Sequence, residues 1–250
     1  CDMLALPDFA AGAMENLGCI TFREYLLLAD PQVATQFDLQ NIADVITHEL
    51  AHMWFGDLVT MRWWNGIWLN EAFATFMEVA CCEAFRPDWL RWTSFSLERS
   101  MAFEVDSLAN TRSVEYPVLA PADCDGMFDV LTYQKGGSLL RMLEQYLGAE
   151  RFRDGIRKYL ADHRFGNTET HDLWESIEVC RDLRRRFVEG DAAPVREHVA
   201  RAWFNEAASL AELGRTADAV DAYRGLVDGF KRDAAPAVVE QVALALVNLG

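Results

Sequence analysis

The sequence predicts a mainly α-helical chain with a small β portion, on three observations. Apolar residues recur at helical spacing through most stretches after Asp38. Runs rich in β-forming residues are confined to the first 28 positions. Beyond residue 194, small residues at close-packing helix positions recur 43 residues apart.

Taken in order, Met3 to Leu6 and Cys19 to Leu28 read as two strands flanking a turn, with Gly12 and Gly18 between them. The stretch GAMEN, Gly12 to Asn16, then sits at a strand edge or in a loop. Asp38 is a plausible cap for a helix whose apolar positions are Leu39, Ile42, Val45, Ile46, Leu50 and Met53, ended by Gly56. Trp63, Trp64 and Trp68 follow, and are expected to pack beneath the helices on either side. A second helix runs from about Leu69 through Phe85, where Pro87 stops it. Helical patterning resumes from Trp89 to about Val105. Pro117, Pro121 and Gly126 mark 106–128 as a loop over the site. The next helix carries Tyr133 at its start and stops at Gly148. Two more are expected at about 149–163 and 170–180.

A linker is expected over 181–194, where three arginines precede Glu189, Gly190, Asp191 and Pro194. Over 195–250, Val195, Glu197, Val199, Ala200, Ala202 and Asn205 recur as Val238, Glu240, Val242, Ala243, Ala245 and Asn248. With LAELGRTADAVDAYRGLVDGF this resembles a tetratricopeptide helix-turn-helix, incomplete as given. The usual period is about 34, so the match needs a lengthened first helix or a longer connection.

The 250 residues are 51% apolar and 25% charged, an ordinary globular composition. No apolar run approaches the roughly 20 residues of a membrane span, so no membrane partner is expected. CDMLALPDFAAG lacks the basic and apolar regions of a signal peptide, and the chain reads as beginning inside a longer one. The six cysteines show no C-x-x-C spacing, and Cys81 and Cys82 fall in an apolar helical run as small core residues. A reduced, cytoplasmic compartment is the expectation. Residues 181–250 hold 10 basic and 11 acidic side chains, so nearly all of the net charge of -16 belongs to the first 180. That excludes nucleic acid as the leading partner, and an acidic field suits cationic substrates such as free amino termini.

The chemistry concentrates in HELAHMWFGDLVTMRWWNGIWLNE. His48 and His52 are four apart, so on a helix both imidazoles lie on one face and reach a single ion. H-E-x-x-H is the zinc-peptidase pattern, with Glu49 placed as general base. Glu71, after an 18-residue gap, supplies a third ligand at the head of the second helix. One Zn2+ per chain is therefore expected. It would keep a fourth position for water, whose pKa falls from about 15.7 to roughly 7. Glu49 would take that water's proton and pass it to the leaving amine. Tyr133 is the candidate donor to the oxyanion. His163, His171 and His198 lack ligand spacing and read as bystanders.

GAMEN, HELAH, WLNE and YQKGG, in that order, resemble the aminopeptidase N family of zinc metallopeptidases over about residues 1–180. The resemblance implies a partial thermolysin-like catalytic domain, N-terminally truncated, with His48, His52 and Glu71 as zinc ligands, Glu49 as base and Tyr133 as transition-state stabiliser. It implies that Glu15 receives the substrate's free α-ammonium, and that Gly12 and Ala13 offer backbone groups to the peptide, with Met14 and Asn16 completing the segment. Met53, Asp57 and Ala72 stand where the family commonly has Gln, Asn and Gly. The expected activity is hydrolysis of the N-terminal bond of peptides with a free amino terminus. Two alternatives stand beside it: an inactive piece or scaffold that binds a protein partner through its helical repeats, and the epoxide hydrolysis of leukotriene-forming relatives. Residues 181–250 could also be the family's own helical domain.

Overall fold

A computed structural model describes residues 1–177, 193–212, 215–230, 233 and 235–249. The chain divides into two units, Cys1–Ile177 and Glu178–Gly250. It is mainly helical with a small sheet portion, the class the sequence predicts. Of the expected linker, residues 181–192 lie outside the described residues, and 193 and 194 already belong to a helix. Among the described residues no helix is long and apolar enough to cross a membrane.

The N-terminal β portion has three strands rather than two. β1 (Asp2–Leu6) and β3 (Cys19–Arg23) run parallel, and β2 (Ala13–Met14) lies antiparallel on the far side of β3. A pair this far apart in sequence must cross over, and the stretch containing GAMEN makes that crossing. β3 is the buried strand, with Ile20 and Phe22 wholly enclosed. It ends at Arg23, five residues short of the expected Leu28. The Arg23 guanidinium explains how the crossing is held: it donates to the carbonyls of Phe9, Ala10 and Ala11, acceptors that no strand pairs.

α1 (Gln36–His52) starts from Thr35, not Asp38. Asp38 sits one turn in and closes a reciprocal capping box with Thr35. The helix departs from the expected pattern in one respect. Its buried residues are Asp44, Glu49, Ala51 and His52, while Leu39 is exposed and the rest of the apolar stripe is half-buried. The face turned inward is the polar one.

α2 (Trp68–Phe85) is the core of the unit. Trp68 through Phe76 are all buried, together with Val79 and Cys82. A helix enclosed all round must lie among other elements, and it packs against α1, α3 (Arg91–Asp106) and α5 (Gly136–Leu147). Trp68 is buried as expected and donates its indole N–H to Thr170. Trp63 and Trp64 contradict the expected packing. Both are exposed, and Trp63 donates instead to the carbonyl of Val118 in the irregular stretch after α3. That stretch, expected as a loop, holds a short helix, α4 (Pro121–Cys124), followed by a 3-10 turn, Asp125–Met127, and its Val118 and Met127 form a small cluster with Ile67.

α6 (Ala149–Asp162) and α7 (Thr170–Ser176) close the unit. The expected continuation of α7 over 178–180 lies outside the described residues. Between them β5 (Gly166–Thr168) pairs in parallel with β4 (Val59–Met61). At three residues each, neither strand is long enough to show an alternating pattern.

The second unit has α8 (Ala193–Glu212), α9 (Thr216–Phe230) and α10 (Pro236–Asn248) around a core of Ala200, Trp203, Ala207, Tyr223, Leu226 and Val238, among others. Both copies of the 43-residue recurrence are helical, one in α8 and one in α10. They differ in burial, since Ala200 is enclosed and its counterpart Ala243 is exposed.

Gly136 sets the approach of α5 to α2. A methyl group there would come within 2.6 Å of the Ala72 Cβ, so only a bare Cα fits. We predict that Gly136→Ala lowers stability by about 1–3 kcal/mol, the usual cost of overpacking. Adding Ala72→Gly should recover part of it, less the helix penalty of about 1 kcal/mol for glycine. Urea midpoints at constant m-value check both.

Candidate active site

α1 and α2 bring the predicted ligands together. His48 and His52 occupy the last two turns of α1, and Glu71 lies in the first turn of α2, with its backbone N–H on the Ile67 carbonyl. One oxygen of Glu71, Oε2, stands 3.3 Å from His48 Nε2 and 3.3 Å from His52 Nε2. His52 and Glu71 are buried, and His48 is nearly so.

Each imidazole is anchored through its other nitrogen. His52 Nδ1 lies 3.0 Å from the carbonyl oxygen of Phe55. A carbonyl only accepts, so Nδ1 carries the proton and Nε2 is left with its lone pair. His48 Nδ1 lies 3.0 Å from Glu78 Oε2, which orients it in the same sense. Phe55 can reach back because the chain turns at Gly56, whose φ of +142° a side chain rarely tolerates.

These donors suit a tetrahedral metal ion. Bonds of about 2.0–2.1 Å to zinc give a tetrahedral edge of about 3.3–3.4 Å, the separation of Glu71 Oε2 from both nitrogens. One ligand atom from each of the three residues lies within 4.8 Å of the others. The electrostatics agree. Burial opposes charge on His48, yet its hydrogen bonds with Glu71 and Glu78 outweigh that and push it up to about 10. Burial likewise opposes charge on His52, and Glu71 raises it. Burial would raise Glu71, but the two imidazoles hold it down to about 2. The pocket demands positive charge between these atoms. Protons can meet that demand, and a divalent cation meets it better because it bonds all three donors at once.

Glu49 points to the same place. It is buried, and its Oε2 has no hydrogen-bond partner among the described residues. Burial pushes it up to about 7 against the pull of His48 and His52. Glu15 joins it: one oxygen of each and one nitrogen of His52 lie within 4.8 Å of one another, with Glu15 Oε1 3.9 Å from His52 Nδ1.

The segment around Glu15 is ordered by the sheet. Ala13 and Met14 pair with Phe22 and Thr21 of β3, and the carbonyl of Gly12 accepts from the Arg23 N–H. Among the described residues β2 is an edge strand, with no strand paired on its outer side. Met14 is exposed, and Asn16 donates its side-chain amide to Thr21 Oγ1.

Tyr133 comes from a different part of the chain, just before α5. It lies in a π-helical turn, Leu131–Lys135, in which Lys135 N–H reaches back five residues to the Val130 carbonyl. Such a turn shifts the side-chain register just before α5. The ring stacks on His48 at 6.0 Å between centroids. Burial and then the Glu71 charge hold its hydroxyl well above the ordinary range, so it keeps its proton as a donor. Arg112 secures the turn by donating to the Met127 carbonyl, Asp129 and Thr132, while Lys135 donates to Asp106 and the Arg112 carbonyl.

The structure thus gathers His48, His52, Glu71, Glu49, Glu15 and Tyr133 about one point. Glu78, the Phe55 carbonyl and Arg112 were not singled out from the sequence. Glu78 had a signal: it follows Glu71 by seven residues, two turns along one face of α2.

Known proteins are similar to this chain over most of its first unit. The model of the peptidase family M1 domain matches residues 1–190. Aminopeptidase M1-D of Oryza sativa subsp. japonica is 45% identical over 177 residues, 71% of this chain and 20% of that protein. The tricorn protease-interacting factor F2 of Thermoplasma acidophilum is 50% identical over 177 residues, 70% of this chain and 22% of that protein. Aminopeptidase N of Lactococcus lactis is 48% identical over 176 residues, 70% of this chain and 21% of that protein. The chain spans about a fifth of the length of the curated relatives it matches. With the family's model matching residues 1–190, more than two thirds of the whole length, the chain belongs to peptidase family M1.

Proposed function

We propose that this chain carries the active site of a zinc-dependent aminopeptidase, hydrolysing the N-terminal bond of peptides that have a free amino terminus. The observation that supports it most is the convergence of Glu15 on the cluster formed by Glu49, His48, His52 and Glu71. His48, His52 and Glu71 hold one Zn2+, whose chemistry when bound is to acidify a water and polarise the scissile carbonyl.

The chain's own residues do the rest. Glu15 receives the α-ammonium of the substrate, and the backbone of Gly12 and Ala13, with Met14 and Asn16 beside them, lines the peptide along the open edge of β2. Glu49, with its partnerless oxygen, takes a proton from the attacking water as the new C–O bond forms. It returns that proton to the amine nitrogen as the C–N bond breaks. The Tyr133 hydroxyl donates to the oxyanion that develops in between. Selectivity for the chain end follows from Glu15. An internal bond brings no ammonium, and the Glu15 carboxylate, with Glu49 and Asp57 near it, is then left without its cation at a cost.

Residues 195–250 we read as tetratricopeptide-like helical repeats that could dock a protein partner, and the compartment as cytoplasmic. The helical pairing of α8, α9 and α10 around their own core supports the repeat reading. It also supports the second function, a scaffold that binds through these helices without turnover.

Release of a fluorogenic amine from an amino-acid amide separates the two functions. Activity that disappears with a chelator, returns with zinc and fails on the N-acetylated amide is expected. A folded, zinc-loaded protein without turnover would sink the enzymatic reading. Glu49→Gln should keep stoichiometric zinc and lose nearly all turnover; surviving activity would remove Glu49 from the role of base. Tyr133→Phe should cost about 10² to 10³ in kcat, as deletion of an oxyanion donor does. An effect confined to KM would contradict that role.

A further inference from the structure

A buried ionic cluster lies behind the ligands, on the far side of His48 from Glu71. Arg91, the first residue of α3, is 3% exposed. Its guanidinium grips Asp44 with two bonds, Nε to Oδ1 at 3.0 Å and a terminal nitrogen to Oδ2 at 2.8 Å. The same terminal nitrogen lies 3.5 Å from Glu98 Oε1 and 3.8 Å from Glu78 Oε1. Glu78 therefore uses one oxygen toward Arg91 and the other, Oε2, toward His48 Nδ1 at 3.0 Å.

The elements make this a closed circuit. Asp44 precedes His48 by one turn of α1, Glu78 follows Glu71 by two turns of α2, and Arg91 comes from α3. A carboxylate fixed at one oxygen can still swing about its side-chain torsions. With a guanidinium charge 3.8 Å from its other oxygen, that swing is disfavoured and the acceptor stays turned to the imidazole. Asp44, Glu78 and Glu98 would also repel one another if the guanidinium were gone, which turns Glu78 away from the position His48 needs. The planar fork matters as well as the charge, because an ammonium cannot bond both oxygens of Asp44 in fixed directions and still face Glu78.

We infer that Arg91 is a positioning residue for the metal centre, acting through Glu78 to fix the orientation and donor strength of His48. The inference rests on the zinc reading proposed above. Residues beyond the ligands typically contribute 10–100-fold to metal affinity, and that is the range expected of Arg91.

The test measures zinc affinity by chelator competition on metal-stripped protein, beside the urea midpoint of the same metal-stripped sample. Arg91→Met should weaken zinc binding about 10–100-fold and Arg91→Lys about 10-fold. Since Arg91→Met strands charges and destabilises the fold, Asp44→Asn/Arg91→Met removes both sides of the tightest pair. Its midpoint should recover while its zinc affinity stays low, because Glu78 still lacks its holder. Zinc affinity that recovers with the midpoint would mark Arg91 as a fold crosslink only, and overturn the inference. Adding Glu78→Gln to that double variant should cost much less affinity than Glu78→Gln does alone; equal losses would show that Arg91 does not act through Glu78. Wild-type protein that takes up no zinc would overturn the reading of the site itself. Wild-type uptake with unchanged affinity in Arg91→Lys and in the Asp44→Asn/Arg91→Met pair would overturn this inference alone.

Discussion

One carboxylate oxygen held 3.3 Å from two imidazole nitrogens in a buried place is the constraint on which the first unit is built. Neither helix can satisfy it alone. α1 supplies both imidazoles from consecutive turns, and α2 must lie beside it with its first turn level with α1's last. That requirement accounts for two features that would otherwise look like faults. α2 is buried on all sides over its first half because its N-terminal turn has to reach the centre of the unit. α1 turns a polar face inward and leaves apolar residues half-exposed because the inward face carries His48, Glu49 and His52.

The remaining groups come from elements that have little regular structure, and cations hold them in place. The chain is strongly acidic at -16, yet several of its basic side chains are spent as clamps. Arg23 gathers the carbonyls of Phe9 to Ala11 and fixes the path into the Glu15 segment. Arg112 and Lys135 bind the turn that presents Tyr133 to the stretch after α3. A guanidinium with five donors suits such places, where backbone carbonyls lie in several directions and no strand or helix satisfies them.

What could be read from the sequence divides along the same line. Where geometry follows from spacing within one element, the residues announced it: His48 and His52, four apart, fall on one face of any helix that carries them. Helix limits near Phe85 and Leu147 were likewise marked by Pro87 and Gly148. The groups behind the site left no such mark. An acidic residue such as Asp44, Glu78 or Glu98 on a helix is ordinarily solvated, and only the docking of a third helix reveals Asp44 as buried, the other two as half-buried, and all three as paired. Trp63 and Trp64 mislead for the converse reason. Large aromatic rings suggest a core, but a turn of three residues leading into α2 has too little around it to enclose them.

Three positions depart from the family's commoner residues, and the structure separates them physically. Met53 is half-exposed at the end of α1, where a side chain of any type can turn to solvent. Ala72 lies against Gly136, so its methyl group limits how closely the helix behind Tyr133 can approach α2. Asp57 is different, because it adds charge. Its Oδ2 is buried without a partner among the described residues, and burial, then the charge of Glu15, push its carboxyl above the usual range. A cation beside Glu15 relieves the repulsion that acts on Asp57. Asp57 therefore strengthens the demand for positive charge at the Glu15 end of the site, on the side away from His48 and its own separate clamp of Glu78 and Arg91.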